Sequence, residues 1–357
     1  MSPVDATARA PGPVAAPVLP AAALRAAAHA SGFALAGFAP AGPLDPGPLQ
    51  RWLDAGHDAG MHWMRRRVPE RLDPRLVLPG ARTVIALAIP HAAPAGERSP
   101  VARYARGRDY HYAHRDRMRA LRRRVLALDP GAQTYACADT GVAMEKAWAQ
   151  RAGLGWIGKN GCLISPTHGS WITLSVMFMD RAVDAYDTPH ANLCGDCSAC
   201  LPACPTGAFP APGVVDARRC IAYHTIENRG AIPADIRPRL RGRVFGCDVC
   251  QEACPWNRRP LPSRDPRLAP RPLGLMAAAE IAALPAHEVH RMAAGMALAR
   301  AGSAGLRRNA LLAIGLPRAA RAPHRSADVG SVRARLRGAG AATRTKNAPP
   351  GPGRAKL

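Results

Sequence analysis

An α+β fold is predicted for this 357-residue chain from three observations. Short apolar runs alternate with stretches of helical spacing up to about residue 185, a cysteine-dense segment runs from Cys194 to Cys254, and alanine-rich helical spacing returns after residue 260. Hydrophobic residues make up 48% of the chain, enough for cores in more than one domain. The longest apolar windows, Val84 to Pro90 and Trp171 to Met179, are too short to span a bilayer, so a soluble chain is expected.

Residues 1 to 18 are mostly alanine, proline and glycine and are expected to be disordered. Ala21 to Ala30 predicts a helix stopped by Gly32. Trp52 to Met64 predicts a helical or turn segment broken at Gly56 and Gly60, with His57 and His62 as its polar residues. Val84 to Ile89 predicts a buried strand closed by Pro90. In Tyr104 to His114, aromatic rings alternate with arginines and histidines around Asp109; such a mix either stacks on a flat ligand or leads into a helix. Met118, Leu121, Val125 and Leu128 give the helix spacing, and Pro130-Gly131 ends it. Tyr135 to Ala138 predicts a second strand with Asp139 at its end, a position from which an acid can face a ligand crevice. A helix from Val142 to Arg151 follows. Gly153-x-Gly155-x-x-Gly158 comes after that helix rather than after a strand, which removes the dinucleotide-binding context. Its glycines, with Lys159 and Asn160, suggest backbone lying close to a bulky ligand. Trp171 to Met179 predicts a third strand. Beyond Asn257, Ala277 to Leu284, Val289 to Leu298 and Leu306 to Ile314 predict short helices of a small repeat-like segment.

Eight of the ten cysteines fall between Cys194 and Cys254. The run Cys194-Gly-Asp-Cys197-Ser-Ala-Cys200-Leu-Pro-Ala-Cys204-Pro205 has the C-x2-C-x2-C-x3-C-P spacing in which three thiolates hold one [4Fe-4S] cluster and the fourth crosses to another. Cys247-Asp-Val-Cys250-Gln-Glu-Ala-Cys254-Pro255 is one cysteine short, and Cys220 is the natural replacement. Crossing assigns Cys194, Cys197, Cys200 and Cys254 to one cluster and Cys204, Cys220, Cys247 and Cys250 to the other. Paired CxxC units also bind zinc, but two zinc sites would not require three cysteines in a row followed by proline. A disulfide framework suits a secreted chain, and no secretory apolar region opens this sequence.

A formal charge of +24, from 49 Lys and Arg against 25 Asp and Glu, favours polyanionic partners, although the excess is spread over the whole chain. Clusters carry single electrons and need an acceptor. About 190 residues precede the cysteine segment, so the acceptor belongs there, and it must be an electron-handling cofactor. No C-x3-C-x2-C triplet is present for radical chemistry. A flavin or a corrinoid is left.

Several stretches then resemble the epoxyqueuosine reductase family: Gly56-His-Asp-Ala-Gly-Met-His-Trp-Met64, Tyr104-Ala-Arg-Gly-Arg-Asp-Tyr-His111, Ala152-Gly-Leu-Gly-Trp-Ile-Gly-Lys-Asn160, Ala203-Cys-Pro-Thr-Gly-Ala208 and Gly246-Cys-Asp-Val-Cys-Gln-Glu-Ala-Cys-Pro-Trp-Asn257. The similarity runs from about residue 25 to 315. It implies an enzyme that reduces epoxyqueuosine at the tRNA wobble position, using two [4Fe-4S] clusters and cobalamin. It implies an N-terminal α/β cobalamin-binding domain (19–185) related to the reductive dehalogenases, a ferredoxin-like double-cluster domain (186–260), a short HEAT-like helical segment (261–318) and a basic tail (319–357). A D-x-H-x-x-G cobalt-ligand motif is absent, since Asp109-x-His111 is followed by His114 where glycine would be needed.

Residue by residue, the resemblance makes Asp139 the proton donor, with a pKa that burial beside an apolar ligand must raise. It places His57, Gly158, Lys159, Asn160, Ser170 and Tyr223 with Asp139 around the cofactor. Tyr223, His224 and Arg229 would meet tRNA, joined by Arg307, Arg308 and Asn309. Ala143 stands where the family usually has proline, and Cys162 where threonine or asparagine is common nearby. The expected partners are tRNA carrying epoxyqueuosine and an external low-potential electron donor, for a cytoplasmic monomer that meets no membrane.

Overall fold

A computed structural model of the chain describes residues 17–91, 99–258, 261, 263 and 265–315. Most of the N-terminal stretch expected to be disordered, and the tail from residue 319, lie outside the described residues. Those up to Gly315 belong to one compact unit. Among the described residues no helix is long and apolar enough to cross a membrane.

Six strands are formed: β1 (Leu35–Pro40), β2 (Thr83–Pro90), β3 (Thr134–Cys137), β4 (Trp156–Ile157), β5 (Leu163–Ile164) and β6 (Ile172–Met179). Four of them make a sheet in the order β1-β2-β6-β3, and β4 pairs with β5 as a separate hairpin. All these pairings are antiparallel. The expected α/β layer is therefore corrected to an antiparallel sheet with helices packed on it, an α+β arrangement. Alternation of apolar runs with helices did not reveal strand direction, because both architectures bury the sheet on two faces.

Strand β2 shows why its sequence is apolar without interruption. Ile85, Leu87 and Ile89 face one core with Phe33, Phe38, Met177 and Met179; Leu24 and Ala28 come from the Ala21–Ala30 helix, and Leu121 and Val125 from the Tyr110–Leu128 helix. Val84, Ala86 and Ala88 face the opposite core with Trp148, Ala149, Leu154, Val176 and Phe178, capped by the Glu145–Arg151 helix. Successive side chains of a strand point to opposite faces, so a helix on each side leaves no position free to be polar.

The Tyr110–Leu128 helix begins eight residues before Met118, with the Asp109 carboxylate accepting the His111 backbone N–H as its cap. That choice settles the aromatic and basic stretch as a short turn, Arg103–Ala105, leading into a helix. Strand β1 and the Gly47–Asp54 helix were not anticipated. Leu-Ala-Gly-Phe-Ala-Pro has no β-branched residue and gains its strand conformation from pairing with β2.

At the C-terminal end, Ala278–Ala283, Ala286–Ala293 and Gly302–Ala313 form three short helices. The last is tied inward. Asn309, fully buried, donates to the backbone oxygens of Thr225 at 2.8 Å and Val244 at 2.9 Å. Arg308 donates to the carbonyls of His224 and Asn228, each at 2.9 Å. These two residues therefore hold the helix after Cys220 in place, correcting their assignment to an outer tRNA-facing surface. Replacing Asn309 by Ala strands two buried carbonyls and should destabilise the protein by about 3 kcal/mol, measured as a shift in the urea midpoint at constant m-value.

Candidate functional site

The eight cysteines of the 194–254 segment are all free thiols and fall into two neighbourhoods. Cys194, Cys197, Cys200 and Cys254 line one cavity of about 150 Å³ with Lys159, Asn160, Ile164, Pro255 and Trp256. Burial raises the Cys200 thiol, and its neighbours Cys254, Cys194 and Cys197 raise it further by like-charge repulsion. In the second neighbourhood, burial lifts Cys250 far above the thiol range, helped by Cys162, Cys247 and Cys220. Burial likewise pushes Cys247 to about 11, with Cys220 adding to it. Burial raises the Cys220 thiol as well, with Cys204 adding to it. Among the described residues no three His, Cys, Asp or Glu side chains converge on a point that one bare ion could fill.

Short elements deliver these thiols. Cys200 begins the one-turn Cys200–Ala203 helix, Cys220 caps the Ile221–Ile226 helix, and Cys250 lies in Val249–Glu252. Cys194 receives the Trp156 Nε1–H at 3.4 Å, and Cys204 the Ala208 backbone N–H at 3.3 Å.

The residues expected around a cofactor are spread along the same surface. Lys159 donates to Gly195 O at 2.8 Å, and the Asn160 amide approaches Cys250 O at 3.5 Å, so the pair stands between the two thiol sets. Gly158 turns the β4–β5 hairpin; a Cβ there would lie 2.4 Å from Ile164 Cδ1. His57 lies 3.6 Å from Asp216 and 3.2 Å from the Arg218 guanidinium, just before Cys220. The Tyr223 hydroxyl accepts the Gly60 N–H at 2.9 Å, which joins the 56–64 loop to the Cys220 helix. Ser170 is buried and donates to Gln251 at 2.8 Å while accepting from Asn257 at 2.8 Å; it braces the segment carrying Cys250 and Cys254.

Asp139 occupies a left-handed turn (φ 57°) directly after β3. Its backbone N–H is held by Glu145 Oε1 at 2.8 Å, closing the loop 138–144 between strand and helix. Gly141 lets that loop sit against the strand, since a Cβ there would come within 2.4 Å of Cys137 Sγ. The Asp139 side chain is 66% accessible, at the open side of a recess whose wall includes Tyr110, His111 and Arg300. Tyr110 donates its hydroxyl to Oδ2 at 2.9 Å, and His111 Nε2 lies 3.4 Å from the same oxygen.

The electrostatics of the uncovered Asp139 run opposite to the shift expected for it beside an apolar ligand. The hydrogen bond from His111 holds the Asp139 carboxyl below its ordinary range; burial opposes it, and the Tyr110 bond assists. Burial instead raises the neighbouring Glu145 to about 7. For His111, burial pulls the imidazolium down, but its bonds to Asp109 and Asp139 outweigh that and raise it to about 9. The proton therefore rests on the imidazole, because an open carboxylate that accepts the Tyr110 hydroxyl and faces the His111 ring favours its charged form.

Glu145, Tyr110 and Arg300 were not singled out from sequence. The Asp139-x5-Glu145 spacing was a usable signal for Glu145, an acid that can reach back across the loop. Arg300 had none: it is brought over the Trp63 ring, 5.3 Å from its centroid, while pairing with Glu227 at 2.9 Å.

Two family profiles match the chain, one described as "4Fe-4S double cluster binding domain" over residues 193–257 and one as "Epoxyqueuosine reductase QueG, DUF1730" over residues 71–140. The sequence is 49% identical over 229 residues to an epoxyqueuosine reductase of Synechococcus sp. (strain CC9605), covering 63% of this chain and 70% of that relative. To the epoxyqueuosine reductase of Gloeobacter violaceus it is 45% identical over 274 residues, covering 74% and 85%. The fold is similar to a crystal structure of epoxyqueuosine reductase with an epoxyqueuosine-modified tRNA-Tyr stem loop. That match has a TM-score of 0.76 at 29% identity, over 82% of this chain and 80% of the other.

Proposed function

Because this chain belongs to the epoxyqueuosine reductase family, we propose that it reduces the epoxide of epoxyqueuosine at the tRNA wobble position to the alkene of queuosine. Two [4Fe-4S] clusters and cobalamin serve the reaction, and an external low-potential donor supplies the electrons. The reading is carried by one observation: a cavity lined by four thiols and a second group of thiols around Cys250 lie in the same compact unit as an open carboxylate in a hydrogen-bonded recess.

Residues of both kinds fit these groups. Four thiols around one cavity suit a cluster, and the second set of four follows from the crossed map: Cys194, Cys197, Cys200 and Cys254 hold one, Cys204, Cys220, Cys247 and Cys250 the other. Cobalamin, when bound, supplies the two-electron reduction at carbon. Lys159, Asn160 and the Gly158 turn would hold its side toward the clusters, and His57 and Tyr223 the side toward the Cys220 helix. Ser170 supports that face from behind through Gln251 and Asn257.

Asp139 gives a proton to the leaving oxygen. When cofactor and wobble nucleoside cover the recess, water leaves Asp139, its carboxyl is driven toward the neutral form, and a proton is drawn onto Oδ2. Arg300 and Trp63 form the outer rim, where a flipped base can stack and a phosphate can pair. The reading is tested by anaerobic incubation of the reconstituted protein with epoxyqueuosine-containing tRNA and mass analysis of the nucleosides. Loss of one oxygen supports it; an unchanged nucleoside opposes it.

The Trp156 N–H to Cys194 contact makes a separate prediction. Hydrogen bonds to cluster sulfur stabilise the reduced, more negative state. Trp156→Phe should make the first cluster's reduction potential more negative in an EPR-monitored redox titration and leave the second unchanged.

A further inference from the structure

Converting an epoxide to an alkene and water consumes two electrons and two protons, whereas one carboxyl group holds a single proton at a time. On the reductase reading above, the site therefore needs a second proton source. We propose that His111, oriented by Asp109, is that source and reloads Asp139 within the catalytic cycle.

The geometry sets the three groups in line. Asp109 Oδ1 lies 2.6 Å from His111 Nδ1 and accepts the His111 backbone N–H at 3.0 Å, so one oxygen fixes both the ring and the start of its helix. The Asp109 backbone is itself anchored by donating to Gly295 O at 2.9 Å. With Nδ1 committed to Asp109, the outward nitrogen is Nε2. That atom is buried, and Asp139 Oδ2 faces it at 3.4 Å. Tyr110 stacks on the imidazole with centroids 4.2 Å apart and donates to the same Oδ2, which keeps the receiving oxygen opposite the ring.

The transfer is a proton shift alone. The Nε2–H bond of the imidazolium breaks, an O–H bond forms at Asp139 Oδ2, and His111 is left as neutral imidazole; the electron pair that completes C–O cleavage comes from the assigned reduction. The charged groups around the ring favour a stored proton. Asp109, Tyr110 and His114 come from its own helix and cap, Asp139 and behind it Glu145 from the loop after β3, and Arg300 from the Ala297–Ala301 turn, acting on Asp139 and Tyr110. His114, which burial lowers to about 3, adds no charge there, while the two carboxylates bring His111 to about 9. A neutral-pH proton on His111 follows.

Two readouts test the role. In the full chain, NMR titration of ring-labelled histidine should give His111 a midpoint well above that of free histidine, lowered in Asp109→Asn. In the reconstituted enzyme, His111→Gln should reduce kcat by roughly 10- to 100-fold with KM for tRNA unchanged, and move the alkaline limb of the kcat profile to lower pH. Iron and cobalamin content should match wild type. An ordinary His111 midpoint, or an active enzyme in which His111→Gln keeps the wild-type profile, overturns the role alone. A wild-type enzyme inactive on epoxyqueuosine tRNA overturns the reductase reading and this role together.

Discussion

Asp139→Asn is expected to reduce turnover by about 1000-fold while cluster content and tRNA affinity stay at wild-type levels. Asparagine keeps the size and the left-handed turn, which it tolerates better than most residues, and its backbone N–H can still reach Glu145. What it loses is the acidic proton. The contrast with an unfolded or unloaded variant is made by quantifying iron and by tRNA binding in the same preparation. Turnover near wild type would remove Asp139 from the proton path, and would shift attention to Glu145, the carboxyl that burial raises to about 7.

The second large effect concerns the crossed thiol map. Cys254→Ser should abolish activity and lower iron from about eight to about four per chain, since each cluster holds four irons. Its partner test is more discriminating. Cys197→Ser combined with Cys254→Ser should leave about four irons, because both residues serve one cluster. Cys197→Ser combined with Cys247→Ser should leave almost none. An uncrossed arrangement, in which Cys254 shares a cluster with Cys247 and Cys250, would leave almost no iron in either double variant, so the Cys197/Cys254 pair separates the two maps. The cavity lined jointly by Cys194, Cys197, Cys200 and Cys254 is why the crossed result is expected.

Much of this site was legible in the residues. Cysteine spacing is local and rigid, so a ligand map could be written before any fold was known; Cys254, distant in sequence, lines one cavity with Cys194, Cys197 and Cys200. Strand β2 was equally readable, as an unbroken apolar run bounded by proline. Direction of the sheet was not, because strand polarity depends on connections that span most of the chain: β6 lies between β2 and β3 although it comes last. The charge state of the uncovered Asp139 was not legible for a related reason. Burial is an average over an unknown surrounding, whereas the carboxyl responds to two particular neighbours, Tyr110 and His111, at the start of a helix that begins earlier than its apolar spacing suggests. Arg308 and Asn309 looked like surface residues because polar side chains usually are; here they satisfy backbone carbonyls of another segment.

Electrons entering through two clusters should reduce the wobble epoxide at a cobalamin beside Asp139. That route is tested most directly by supplying the anaerobic, reconstituted protein with a limiting, counted amount of reductant and measuring the nucleosides of epoxyqueuosine tRNA by mass. One nucleoside lighter by one oxygen is expected for every two electrons, and only when cobalamin is bound. Equal product without cobalamin, or no product from protein whose clusters and cobalamin are both in place, would contradict it.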